Sequence, residues 1–132
     1  DLKIRNDARV VVMEETDIRD VKELPESADI AAIDVSLISL RDILPSVRRL
    51  LAPGGRVVAL FKPQYETRDR ALLHNGVIRD DKARENLASD FEAWARENGW
   101  RVEGKITSPI RGDKGNAEYL FQLILLFPSD RI

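Results

Sequence analysis

The stretch Arg56–Glu66, "RVVALFKPQYE", decides how the rest of the chain reads. Val57 to Phe61 run straight into Lys62 without a polar step. An unbroken apolar run of this length predicts a strand covered on both faces, as in a parallel sheet. Pro63 has no N–H to give a sheet ladder, so the strand stops there. An ammonium group is thereby fixed at the carboxyl end of an apolar strand.

Upstream, "DIAAIDVS" (Asp29–Ser36) predicts another strand, ending on an acid, Asp34. Between the two, Leu40, Ile43, Leu44, Val47, Leu50 and Leu51 recur at three- and four-residue steps, one face of a helix. Pro45 falls inside that pattern and predicts a kink or a second helical start. "PGG" (Pro53–Gly55) is read as the end of the helix. Further upstream, "ARVVVME" (Ala8–Glu14) is a β-branched run and predicts a strand.

Downstream, Lys62 to Gly76 reads as a polar connection. Asp80 and Asp81 offer an N-cap to a helix whose face is Ala83, Leu87, Phe91, Trp94 and Ala95, closed by Asn98-Gly99. Trp100–Ser108 and Ala117–Phe127 predict two more strands. With only the turn-rich "PIRGDKGN" between them they form a hairpin, which sets the last strand antiparallel. The alternation of strands and helices is an α/β pattern: a mostly parallel sheet with helices on its faces and a C-terminal antiparallel strand.

The 132 residues are 43% hydrophobic and 33% charged, which describes one globular domain or a large part of one. With no cysteine, disulfides, zinc thiolate sites and cysteine catalysis are excluded; a cytoplasmic location fits. No apolar run approaches the roughly 18 residues a membrane span needs. A net charge of −2 restricts any nucleic-acid contact to a local basic surface. Arg68, Arg70, Arg79, Lys82 and Arg84 form one loosely basic region, interleaved with acids. The single histidine, His74, and both tryptophans, Trp94 and Trp100, read as surface and core residues respectively.

The topology brings three charged residues to one edge. In open α/β sheets, ligands bind outside the carboxyl ends of the parallel strands. Asp34 and Lys62 end two such strands, and Glu118 starts an antiparallel strand at the same edge. Neighbouring strands lie about 4.8 Å apart, so the three can line one crevice. Each also has a plainer reading. Asp34 can cap the following helix, Lys62 can reach its head to water, and Glu118 can be solvated at a strand start.

"DVSLISLRDILPSVRRLLAPGGRVVALFKPQYE", "NGVIRD" and "SPIRGDKGNAEYLFQLIL" together resemble the TlyA family of ribosomal RNA methyltransferases, relatives of FtsJ, some of which carry the label hemolysin. The resemblance runs from about Asn6 to Leu126. It implies a class I (Rossmann-like) methyltransferase fold, S-adenosylmethionine as methyl donor and a ribose 2′-hydroxyl of ribosomal RNA as substrate. FtsJ-type enzymes use a lysine–aspartate–lysine–glutamate tetrad; by motif match its aspartate, second lysine and glutamate are Asp34, Lys62 and Glu118. Asp17, with Ile18 beside it, matches the position near the cofactor adenine. Asp34 and Ser36 in "DVS" complete the implied cofactor residues.

Some of the family pattern is absent from these 132 residues. No glycine-rich loop follows a strand, and the tetrad's first lysine, the acid that holds the cofactor ribose and the S4-like RNA-binding domain have no counterpart. The chain therefore reads as the C-terminal portion of an FtsJ-like methyltransferase domain. Three expectations follow. The chain is inactive alone and binds S-adenosylmethionine poorly. Val10–Met13 docks on Ile30–Asp34, pairs with another molecule or stays unpaired. An exposed strand edge favours self-association. The alternative function is a non-catalytic module that binds RNA or a partner on the same fold.

Overall fold

The computed structural model describes residues 1–127. Its elements are α1 (Leu2–Arg5), β1 (Ala28–Ile33), α2 (Leu40–Leu50), β2 (Leu51–Phe61), α3 (Pro63–Glu66), β3 (Leu73–His74), β4 (Val77–Ile78), α4 (Asp81–Glu97), β5 (Trp100–Thr107) and β6 (Tyr119–Leu125). Strands β1, β2, β6 and β5 form one sheet in that order, and β3–β4 is a separate small hairpin. β1 and β2 pair in parallel, while β6 runs antiparallel to β2 on one side and β5 on the other. The α/β architecture and the antiparallel final strand are as the sequence predicts.

The helices form where their caps and faces require. Ser39 caps α2 by accepting from the Arg41 N–H, and Asp80 caps α4 by accepting from the N–H groups of Lys82 and Ala83. The α2 face buries Leu40, Ile43, Leu44, Val47 and Leu50. Pro45 lies inside α2 and starts no second helix. It sits on the exposed side, where the carbonyl it leaves unbonded can face water. Pro53–Gly55 do not end the helix: they lie inside β2, where the register with β1 jumps from Ala28↔Leu51 to Ile30↔Arg56. Gly54, with φ +75°, supplies the left-handed residue this irregularity uses.

Two strand expectations are corrected. Ala8–Glu14 forms no strand: Val11 is 83% exposed and no segment among the described residues pairs with it. A β-branched run becomes a strand only where a neighbour takes its backbone hydrogen bonds. Nor is β2 covered on both faces. Val57, Ala59 and Phe61 are fully buried, whereas Val58 between them is 42% exposed. The helices α2 and α4 both contribute to the core that Val57, Ala59 and Phe61 enter. An apolar run shows that both faces can be buried, not that this segment alone buries them.

The buried face ends in an aromatic cluster under Lys62. Phe61 lies 5.1 Å from Phe91 of α4 and 5.6 Å from Phe121 of β6, centroid to centroid. Phe91 also meets Phe121 at 5.1 Å, near edge-on. This packing fixes where β2 ends. Phe91→Ala should cost about 3–5 kcal/mol of stability, read as a lower urea midpoint with an unchanged slope.

Candidate active site

The sheet order makes β1, β2 and β6 neighbours, so Asp34, Lys62 and Glu118 arrive at one edge. Asp34 is the first residue beyond β1, and Lys62 the first beyond β2. The parallel register, Ile33↔Ala59, carried three residues on, sets Ser36 level with Lys62. The lysine uses both neighbours. Its Nζ lies 2.7 Å from Asp34 Oδ1 and donates to Ser36 Oγ at 3.0 Å. The Lys62 side chain is 14% exposed against 70% for Asp34, so the ion pair is held from the lysine side and open to solvent on the other. Pro63 takes the first position of α3 behind it, a place that needs no N–H.

Glu118 differs from its sequence reading as a solvated strand start. It is 3% exposed, and Oε2 accepts from Gln64 Nε2 of α3 at 2.8 Å. The antiparallel register Phe61↔Tyr119, carried one step on, sets Glu118 opposite Lys62. No ion pair joins these two among the described residues; Gln64 stands as the partner of the carboxylate. Gly112 forms the other wall. A Cβ there would lie 2.7 Å from Glu118 Oε1 and closer still to Oε2. With φ at −77°, Gly112 is needed for clearance and not for its backbone angle.

The loop that carries Gly112 is held by Asn116, which is 2% exposed. Its Oδ1 accepts from the Ile78 N–H at 3.1 Å, and its Nδ2 donates to the carbonyls of Gly76 (2.9 Å) and Asp113 (3.1 Å). The β3–β4 hairpin, turned by Asn75 (φ +52°) and Gly76 (φ +80°), is thus fastened to the loop before β6. The Asn-Gly pair is a standing signal for such a turn, though it falls at the end of the polar connection from Lys62 to Gly76. Gln64, Gly112 and Asn116 are site residues the charge pattern could not single out.

The residues matched to the cofactor lie on one side of the same edge. Asp17, Ile18 and Ser36 line one cleft of about 500 Å³ with Thr16, Val35 and Ile38. Asp34 lines a neighbouring, more apolar cavity of about 320 Å³ beside β1. Asp17 caps a single 3-10 turn, Ile18–Asp20, and meets the Arg19 guanidinium through Oδ1 and Oδ2. That pairing holds its carboxyl down at about 2, so it is ionised throughout the working range.

A profile of FtsJ-like methyltransferases matches residues 2–124. The chain belongs to this family. YqxC of Bacillus subtilis, a candidate rRNA methyltransferase, is 41% identical over 92% of this chain and 44% of its own length. The 16S/23S rRNA (cytidine-2′-O)-methyltransferase TlyA of Mycobacterium tuberculosis is 35% identical over 91% of this chain and 46% of its own. Among solved structures, a Streptococcus thermophilus protein assigned as a hemolysin superposes with a TM-score of 0.90 at 38% identity, covering 95% of this chain and 46% of that one. The FtsJ-like chain spans about half the length of the curated relatives it matches.

Two further features of the FtsJ-like chain flank the edge. Arg68, Arg70, Arg79 and Lys82 are exposed and have no ion pair among the described residues, whereas Arg84 bonds the Ile78 carbonyl and Asp81. Of the acids among them, Asp69 and Asp80 cap helices and Asp81 pairs with Arg84. On the other flank, Glu66 accepts from Ser39 Oγ at 2.6 Å and from the Leu40 N–H at 2.7 Å, tying α3 to the start of α2. Burial raises its pKa, and those two hydrogen bonds only partly offset it. A raised carboxyl favours the folded state below its unfolded pKa and loses that advantage as pH rises through the folded value. Wild type should therefore lose stability relative to Glu66→Gln as pH rises above the ordinary glutamate range of about 4, read from urea midpoints of both proteins. No helix among the described residues is long and apolar enough to cross a membrane.

Proposed function

We propose that the protein carrying this chain transfers a methyl group from S-adenosylmethionine to a ribose 2′-hydroxyl of ribosomal RNA, and that Lys62, Asp34 and Glu118 are the catalytic residues. The carrying observation is the Lys62–Asp34 contact at the ligand edge, with Glu118 one register step away. A lysine ammonium has three N–H donors. Asp34 and Ser36 take two, leaving one for the hydroxyl oxygen of a bound ribose. That hydrogen bond would orient the oxygen and stabilise the negative charge it gains as its proton passes to water at the solvent-open side of the site. Asp34 sets the ammonium's direction, and Glu118 places a second acidic group beside the same oxygen. Positioning two reactants in line is worth many powers of ten by itself, so a rigid lysine is the main requirement.

S-adenosylmethionine, when bound, supplies a methyl group on a positively charged sulfur. The residues present suit one half of it. Ile18, Val35 and Ile38 offer apolar walls for an adenine ring, and Ser36 and the ionised Asp17 offer polar groups at the same cleft. Nothing comparable appears for the methionine end, since among the described residues no glycine-rich loop follows a strand. The chain alone should bind the donor more weakly than micromolar by calorimetry; tight binding would contradict this division of the site. The basic residues Arg68, Arg70, Arg79 and Lys82 suit RNA phosphates.

The test uses the complete natural protein with labelled S-adenosylmethionine and ribosomal RNA from a strain lacking the enzyme. Label should enter the RNA and resist alkaline hydrolysis at the modified linkage, because a methylated 2′-oxygen cannot attack the phosphate. No incorporation would sink the proposal.

A further inference from the structure

We infer that Gln64 is a positioning residue for Glu118, holding that carboxylate in the one orientation the edge requires. The inference rests on the catalytic reading of Glu118 given above. A side-chain amide can donate through nitrogen or accept through oxygen. Toward an ionised carboxylate only donation is favourable, and Nε2 lies 2.8 Å from Oε2. The consequence falls on the other end of the amide: Gln64 is 7% exposed and its Oε1 is buried without a partner. Turning the amide over would set oxygen against oxygen and leave the nitrogen orphaned instead. A buried polar atom without a partner is rare and costly, so its presence calls for a compensating interaction. The charge-assisted bond to Glu118 is that interaction.

The surroundings leave the carboxylate little freedom. Gly112 closes one side so tightly that no Cβ fits, while Asn116 anchors the loop that carries the glycine. Gln64 itself is seated by its place in α3, between Pro63 at the first helical position and Glu66, which is tied to Ser39 and Leu40. Lys62 and Gln64 are two residues apart. The segment that delivers the lysine to the edge therefore also delivers the group that orients the acid opposite it.

Gln64→Met keeps the length of the side chain and removes the donor; Gln64→Glu puts a second carboxylate against the first. In the complete protein, Gln64→Met should lower kcat by ~10- to 100-fold and leave KM for RNA within about twofold, since the RNA contacts are untouched. Gln64→Glu, which sets carboxylate against carboxylate, should lower kcat further. A merely structural residue would lower kcat only in step with the folded fraction. A kcat loss that tracks urea stability would overturn the inference. An activity-independent arm uses the 132-residue chain itself: the side-chain carboxyl 13C resonance of Glu118 should shift in Gln64→Met. A resonance that stays in place overturns the role of Gln64 whatever the methyl-transfer assay shows. Absent activity in wild type with a shifted resonance would instead count against the proposed function alone.

Discussion

Lys62→Ala should abolish methyl transfer by about 10²- to 10⁴-fold in kcat while the protein stays folded. The side chain lies past the end of β2 and is 14% exposed, so its stem is mostly covered; the aromatic cluster begins one residue earlier, at Phe61. Removing it deletes contacts to two exposed partners, Asp34 and Ser36, together with a mostly covered stem, so the protein should stay folded with a measurable drop in its urea midpoint. Lys62→Arg keeps the charge but not the compact, rotatable ammonium, and should rescue only a small part of the rate. Methyl-transfer kinetics alongside urea unfolding separate the two effects. A Lys62→Ala protein that methylates RNA at the wild-type rate would remove the lysine from the mechanism.

The second large effect is expected at a residue without a side chain. Gly112→Ala adds one methyl group where the Glu118 carboxylate already sits. Backbone strain is no part of this, because φ of −77° suits any residue. Either the loop 108–118 moves outward or Glu118 leaves Gln64, and both displace the acid from the lysine's edge. A misplacement of about 1 Å can cost about 100-fold in rate. Gly104→Ala is the control, since a Cβ there meets only Gln122 Cβ, at 4.0 Å. It should retain activity. Equal loss in both variants would mean that glycine is needed for foldability alone.

Much of this edge was legible in the sequence because strand ends are legible. An apolar run, a charge and a proline at 57–63 locate a carboxyl edge, and the α/β pattern puts other strand ends beside it. The structure brings Asp34 within 2.7 Å of Lys62 and sets Glu118 in the next register step. The partners were not legible. Gln64 and Asn116 make their bonds to residues 54 and 38 positions away, through a fold that places α3, the β3–β4 hairpin and the loop before β6 together. The sequence shows an amide but not what it faces.

The misreadings share a different cause. Val10–Met13 and the outer face of β2 have strand-like or core-like composition, yet Val11 and Val58 stand exposed. Burial is a property of an assembly of segments, and composition reports only the capacity for it. Ile30, on the edge strand β1, is 69% exposed for the same reason. The two caps of α4, Asp80 and Asn98, are legible by contrast, because their hydrogen bonds close within four residues.

The central claim is that this edge methylates a ribose oxygen of ribosomal RNA. Nucleoside mass spectrometry tests it most directly, on ribosomal RNA treated with the complete protein and isotope-labelled S-adenosylmethionine. The account predicts a labelled nucleoside whose base fragment is unmethylated and whose sugar carries the added mass, and it predicts that this product is lost with Lys62→Ala. Label on the base fragment, or label in the sugar undiminished by Lys62→Ala, would contradict it.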